Sequence, residues 1–289
     1  MKTGKTSRTA QYMAFFRALE SKRRSRDRLF SDPFAIHFLD PGLRRVVRAS
    51  NLPIFKSYLK KTIQKRIPGG FSSGIARTKY IDDLLRFTIE NRVRQVIILG
   101  AGFDTRASRL EFLLSVPVIE IDHPNTSNYK IEVFKTRIGL LPGNVTYCQI
   151  DFNTESLEQL AEKNKFNFDM PATIIWEGVT NYLTAGAIDN TFAFISKFAT
   201  GSFVIFTYIH KQVLDNPGLF IGGEKLLKDL EGIEERWTFG FLPDELPGYL
   251  SNFGLIVVED LGATEFRQKY LPRRTDEGYE FYRVAMAKK

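Results

Sequence analysis

Apolar positions at the start of the chain follow a helical period. In "TAQYMAFFRALES" Tyr12, Phe16 and Leu19, with Phe15, fall on one side, and "SDPFAIHFL" opens another helix with Ser31 as its N-cap. "RIPGGFSSG", Arg66 to Gly74, closes this segment, because two glycines after a proline, followed by serines, are expected to break any helix. In "IARTKYIDDLLRFTIE" Ile81, Leu84, Leu85, Thr88 and Ile89 share a helix face. Short apolar runs then recur at 96–99, 116–122, 145–151, 172–178 and 202–209, with helix-length material between each pair. Such alternation predicts a parallel sheet with helices on both faces.

Order weakens between Ile209 and Pro243, where a helical stretch but no core strand is read. The chain closes with a helix candidate in "PDELPGYLSN" and strand candidates "LIVVEDL" and "YEFYRVAMA". The expected organisation is a helical cap over residues 1–74 and an α/β domain over 75–289, with an insertion at about 210–242 contributing to a pocket.

Composition changes this picture in three ways. No apolar stretch approaches the ~18 residues that span a bilayer, so no membrane partner and a cytoplasmic location are expected. The one cysteine, Cys148 in "VTYCQI", excludes an intrachain disulfide or a cysteine metal site and reads as a core residue; no metal is expected. The net charge of +8 is uneven: residues 1–66 carry 17 Lys and Arg against four acids, and the remainder 24 against 29. A basic segment attracts nucleic acid, membrane surface or acidic small molecules. Its aromatic residues follow helical spacing rather than an RNA-binding motif, so nucleic acid is not the expected partner.

In open parallel sheets ligands bind beyond the carboxyl ends of the strands, where strand order reverses. The first run ends in Gly100-Ala101-Gly102-Phe103-Asp104, the second in Glu120-Ile121-Asp122, the third in Asp151-Phe152 and the fourth in Glu177-Gly178. Gly100 and Gly102 fit the opening of a dinucleotide fingerprint, but Thr105 stands at the third glycine position. A carboxylate at each strand end also suits a pyrophosphate poorly. Asp122, about twenty residues beyond the glycines, is placed to accept hydrogen bonds from ribose hydroxyls. A ligand with a ribose, an adenine and a cationic group but no phosphate fits these ends better, and S-adenosylmethionine has that make-up.

The chain resembles the leucine carboxyl methyltransferase-like group of class I S-adenosylmethionine-dependent methyltransferases, particularly its bacterial branch. The resemblance covers nearly the whole length. It is carried by "SRTAQYMAFFRALES", "DRLFSDPFA", "ARTKYIDD", "VIILGAGFDTRASRL", "EIDHP", "IDF", "IWEGVTNYLT" and "EDLG". It implies a Rossmann-like sheet of seven strands, mostly parallel, with an antiparallel last hairpin. It also implies S-adenosyl-L-methionine as cofactor, leaving as S-adenosyl-L-homocysteine. By resemblance, Arg77 pairs with the methionine carboxylate, Gly100 packs against the cofactor, and Asp122 holds the ribose. Asp151 and Phe152 flank the adenine, and Glu177 lies near the methionine amino group. Gly102 and Asp104 share the cofactor loop. Asn181 stands where relatives have an apolar residue, and with Tyr182 it is a candidate contact for the methyl acceptor.

Methyl transfer from a sulfonium is an in-line displacement, in which holding the reactants aligned can supply roughly 7–11 kcal/mol. A carboxylate acceptor is already ionised at neutral pH and needs no base. The histidines, His37, His123 and His210, give no catalytic base. The expected reaction is O-methylation of a carboxylate or hydroxyl on a small, acidic molecule. The competing readings are a nicotinamide-dependent oxidoreductase, a non-catalytic S-adenosylmethionine-binding protein and a nucleic-acid-binding protein.

Overall fold

The computed structural model describes residues 8–151, 154–232 and 235–289. Four helices come first: α1 (Arg8–Ser21), α2 (Pro41–Ala49), α3 (Pro53–Arg66) and α4 (Gly70–Glu90). Strand and helix then alternate through β1 (Gln95–Leu99), α5 (Arg106–Arg109), β2 (Val118–Asp122), α6 (Pro124–Val133), β3 (Val145–Gln149), α7 (Leu157–Lys163), β4 (Ala172–Trp176), α8 (Ala185–Ile195) and β5 (Phe203–Ile209). The chain continues through α9 (Gln212–Asp215), α10 (Gly223–Glu231), α11 (Leu246–Ser251), β6 (Ile256–Gly262), α12 (Ala263–Tyr270) and β7 (Tyr282–Lys288).

The seven strands form one sheet in the order β3-β2-β1-β4-β5-β7-β6. The five strands β1 to β5 are parallel, and β7 runs antiparallel to both β5 and β6. The expected antiparallel hairpin is therefore present, and its second strand inserts next to β5.

Both faces of the sheet are covered, which is why the strands read as unbroken apolar runs. Val96, Ile98, Ile175, Ile205, Val284 and Met286 face a core shared with α1, α4 and α12. Their neighbours Ile97, Leu99, Ile174, Trp176, Val204 and Phe206 face α7, α8 and α11 on the other side. Cys148 is buried in this second core, as its apolar setting predicts.

Three local readings change. The expected helix break across residues 66–74 is confined to Ile67–Gly69, and α4 starts at Gly70. Gly69 supplies the turn at φ +69, where an added Cβ would lie 2.0 Å from the Gly278 carbonyl oxygen. The small residues that follow lie inside the helix because α1 comes close: a Cβ on Gly74 would stand 3.2 Å from both Met13 and Phe16. Residue 74, the expected cap boundary, thus falls within α4. Asp32, rather than Ser31, caps the turn at Ala35–Phe38, its Oδ1 accepting from the Phe34 and Ala35 N–H groups. On α1, Tyr12 is exposed, while Ala14, Phe15, Phe16, Ala18 and Leu19 form the buried side.

The sheet order places β1 beside β4, with β2 and β3 reached by crossovers on one side of β1 and β5 lying on the other. Strand order reverses between β1 and β4. The crevice at their carboxyl ends is therefore where this architecture receives a ligand.

Candidate functional site

Beyond β1 the chain folds back over the end of β2. The N–H groups of Gly100 and Ala101 both donate to the Ile121 carbonyl, at 2.8 and 3.1 Å. The next free N–H, on Gly102, donates to Asp122 Oδ2 at 2.5 Å, and His123 N–H donates to Oδ1 at 2.6 Å. Burial pushes the Asp122 carboxyl up, against the pull of these two N–H groups. Gly100 adopts φ +65, and a Cβ there would lie 2.5 Å from a Val179 methyl carbon, so both conformation and space require glycine. Gly102 at φ +45 differs: a Cβ would meet nothing closer than 3.8 Å, so its outer side is open.

A buried network of arginines and carboxylates joins this loop to β4 and α4. Glu177 follows β4 and accepts from Arg77 Nε at 3.0 Å and from Arg106 Nη1 at 2.8 Å. Arg106 also donates from Nη1 to Asp104 at 2.5 Å and from Nε to Asp82 at 2.8 Å. Asp82 in turn takes two bonds from Arg109, each 2.7 Å. Burial works against ionised Glu177, but Arg106 and Arg77 hold its carboxyl below the ordinary range. Asp104 is buried too, yet Arg106 leads the cations that hold it down at about 2.

Arg77 is 5% exposed, and its guanidinium lies 4.6 Å from the Tyr282 ring centroid. It hydrogen-bonds through Nε alone; its two Nη groups take no partner among the described residues. A nearly buried guanidinium with its fork unused matches a carboxylate ligand.

The network is braced from the amino-terminal helices. Asp32 accepts from Arg17 Nε at 2.8 Å and from the Thr105 hydroxyl at 2.7 Å. Arg17 also donates to the Phe103 carbonyl at 2.5 Å. Thr105, standing where a dinucleotide fingerprint has its third glycine, is thus buried and committed to Asp32.

Arg77, Gly100, Gly102, Asp104, Asp122 and Glu177 are brought to one edge of the sheet by these contacts. Asp151 follows β3, its carbonyl accepting from the Thr154 and Glu155 N–H groups. Phe152 lies outside the described residues. Asn181 is buried, its side-chain oxygen without a hydrogen-bond partner among the described residues, and its carbonyl accepts from Thr238 N–H in the insertion at 2.7 Å. The Tyr182 hydroxyl donates to Thr9 at 3.4 Å, and Thr9 bonds Glu235, so the first turn of α1 meets the insertion beside this edge. Trp237 Nε1 is buried and leans toward the Tyr182 hydroxyl without a hydrogen bond of normal geometry.

His123 caps α6, its Nδ1 accepting from Asn125 N–H, and His210 Nδ1 accepts from Gln212 N–H. Neither imidazole enters the network. Arg106, Arg109, Asp82 and Asp32 were not anticipated as part of this site. One signal was available: Asp82 sits on the apolar stripe of α4 between Ile81 and Leu85, and a charge on a buried stripe implies a buried partner.

The surface also carries concavities, one away from this edge and one that shares Trp237 and Thr238 with it. One, of about 580 Å³, is lined by Phe34, Val116, Pro117 and Thr146 at the amino ends of the strands. The other, about 650 Å³, is lined by Lys211, Trp237, Phe241 and Tyr249 along the insertion.

Comparison with known proteins gives the family and the fold. The family described as leucine carboxyl methyltransferase matches residues 10–196, a span that includes most of α1, the Asp32 cap, the loop after β1 and Glu177. The chain belongs to this family. A protein of Streptomyces coelicolor, named by inference as an S-adenosyl-L-methionine-dependent methyltransferase, is 29% identical over 247 residues, covering 85% of this chain and 81% of the relative. A Bacillus subtilis protein named in the same way is 27% identical over 208 residues, 70% of this chain and 67% of that one. The fold matches the crystal structure of a Thermobifida fusca protein, titled by inference a methyltransferase, at a TM-score of 0.59 and 16% identity, over 96% of this chain and 94% of that one. The protein is an S-adenosyl-L-methionine-dependent methyltransferase with a Rossmann-like sheet, and S-adenosyl-L-methionine is its cofactor. Among the described residues no helix is long and apolar enough to cross a membrane.

Proposed function

We propose that this protein methylates an oxygen of a small molecule, with a carboxylate as the favoured acceptor, and that Arg77, Gly100, Gly102, Asp122 and Glu177 hold the cofactor. The observation that carries the reading is the buried Arg77 with its fork free, fixed by Glu177 beside the Gly100 turn.

The residues present fit the cofactor. Each Asp122 oxygen accepts one N–H and retains a lone pair for a ribose hydroxyl. The open side of Gly102 admits the nucleoside. Arg77 presents its Nη groups to the amino-acid carboxylate, and Glu177 offers an acceptor for the ammonium. Asp151, with Phe152, is the proposed adenine end. Asp104 acts through Arg106, setting the position of Glu177. The cofactor supplies an electrophilic methyl group on a sulfonium. What remains for the chain is alignment of the acceptor and exclusion of water.

The acceptor side adjoins Arg77 and Gly178, where Tyr182, Trp237, Tyr279 and Tyr282 form an aromatic wall. Tyr279 stacks on Tyr282 with centroids 5.8 Å apart and holds φ +68, a strained conformation for a bulky residue of the kind that collects at ligand sites. Burial pushes the Tyr279 and Tyr182 hydroxyls up, so they remain protonated donors at neutral pH. A wall of protonated tyrosines without a base suits an acceptor that is already an anion. The family description, which refers to a leucine carboxyl, supports the same acceptor group.

The test is transfer of labelled methyl from the cofactor to a host-cell extract, with the product exposed to mild base. Base-labile label in the small-molecule fraction is expected from an ester. Base-stable label would remove the carboxylate reading, and stabilisation by NADH but not by S-adenosylhomocysteine would remove the cofactor assignment.

A further inference from the structure

The α2–α3 hairpin carries a surface that methyl transfer does not use. Between Asp40 and Asp82 the sequence has no acid, and residues 41–66 hold eight Lys and Arg. Arg45, Arg48, Lys60, Lys61 and Lys65 are exposed and make no ion pair among the described residues. At the tip of the hairpin, Leu52, Ile54 and Tyr58 are exposed by 61, 90 and 65%. The spacing of Ile54, Tyr58, Lys61 and Lys65 puts all four on one side of α3, while Leu59 and Ile63 pack inward against the core. Single exposed apolar side chains are ordinary. Three within seven residues, flanked by unpaired cations, are a different pattern.

We propose that this hairpin docks the protein onto an anionic lipid surface, with Leu52, Ile54 and Tyr58 entering the headgroup boundary and the lysines and arginines facing lipid phosphates. The combination of shallow apolar insertion and cationic attraction is what interfacial helices use. It departs from the expectation of no membrane partner. A polynucleotide would answer the same cations, but base stacking calls for aromatic residues. The most exposed of the three, Ile54, is aliphatic, as is Leu52, and Tyr58 is the sole ring among them. The docking face is joined to the insertion, since Lys225 Nζ donates to the Arg66 carbonyl at 3.4 Å and Gly222 abuts Pro68.

The experiment is flotation of the full chain with vesicles of phosphatidylcholine alone or mixed equally with phosphatidylglycerol, at about 0.05 and 0.5 M salt. Two double variants are compared, Leu52→Ser with Ile54→Ser and Lys61→Glu with Lys65→Glu, each first shown to keep the parent's urea midpoint. Binding to the anionic vesicles only, weakened by salt, is expected. Binding should fall about tenfold or more in the apolar variant and at least about fivefold per lost cation in the charge variant. Equal flotation of parent and both variants, or no flotation at low salt, overturns the proposal. So does single-stranded RNA that binds the apolar variant as tightly as the parent and strips the parent from vesicles, which assigns the face to nucleic acid.

Discussion

On the proposed assignment the arginine network both braces the fold and holds the cofactor, and substituting its two central members separates the two roles. Arg106 has a side chain 4% exposed and is the common partner of Asp82, Asp104 and Glu177. In Arg106→Met, Asp82 keeps both bonds from Arg109 and Glu177 keeps Arg77. Asp104 keeps only the residue 106 backbone N–H at 2.7 Å. Breaking a buried ion pair from one side costs about 3–5 kcal/mol, and because two of the three carboxylates remain paired, the lower end, about 3 kcal/mol, is expected. Arg77→Met removes one charge-assisted bond from a carboxylate that retains Arg106, at about 1.5–2 kcal/mol. Ligand affinity should rank the other way. Loss of the free Arg77 fork removes a buried contact to a ligand carboxylate worth about 2 kcal/mol or more, roughly thirtyfold in affinity. Urea unfolding at neutral pH reads the first quantity, and calorimetric titration with S-adenosylhomocysteine reads the second. If Arg106→Met costs less than about 1 kcal/mol, or Arg77→Met is the more destabilising, the network is not organised around Arg106 and the reasoning fails.

Arg106 and its neighbouring cations hold the Asp104 carboxyl at about 2 against an ordinary 3.8, so the stabilisation it contributes, on the order of 2 kcal/mol, is present above about pH 5 and is lost as pH falls through 2. Asp104→Asn should flatten the acid limb of stability measured by urea titration at stepped pH, and an unchanged limb would contradict the shift. Gly100→Ala meets both a left-handed backbone and the Val179 methyl 2.5 Å away, and should lose about 2–4 kcal/mol, part of it recovered by Val179→Ala in the double variant. Asp32→Ala strips the acceptor from Arg17, Thr105 and the Phe34 and Ala35 N–H groups; unfolding easier by about 3–5 kcal/mol is expected, and a loss under about 1 would show that the brace is dispensable. S-adenosylhomocysteine at a hundredfold excess over its Kd should raise stability by about 2.7 kcal/mol in the parent. In Asp122→Ala the same concentration should give a clearly smaller gain, checked by thermal shift.

The strands and the loop after β1 were legible because each is a local pattern: apolar runs buried on both faces, then glycines at a turn. The buried ion network was not, because its pairs span 24, 27 and 71 residues of chain and no periodicity specifies such partners. Arg106 and Arg109 also sit in a helix of four residues, too short for a polar and an apolar side to be told apart. Their presence changes how the site discriminates. Strand ends that carry Asp104 and Glu177 read as an acidic edge attractive to any cation. In the fold, Asp82, Asp104 and Glu177 are matched by Arg77, Arg106 and Arg109, so the edge has little net charge to attract with. Asp122, in contrast to Asp82, Asp104 and Glu177, is held by N–H groups rather than by arginine. On the proposed cofactor assignment, selectivity falls to two positioned groups, the free fork of Arg77 and the spare lone pairs of Asp122. A ligand satisfies both only if it carries a carboxylate at one end and hydroxyls at the other, a condition that simple cations and isolated phosphates do not meet.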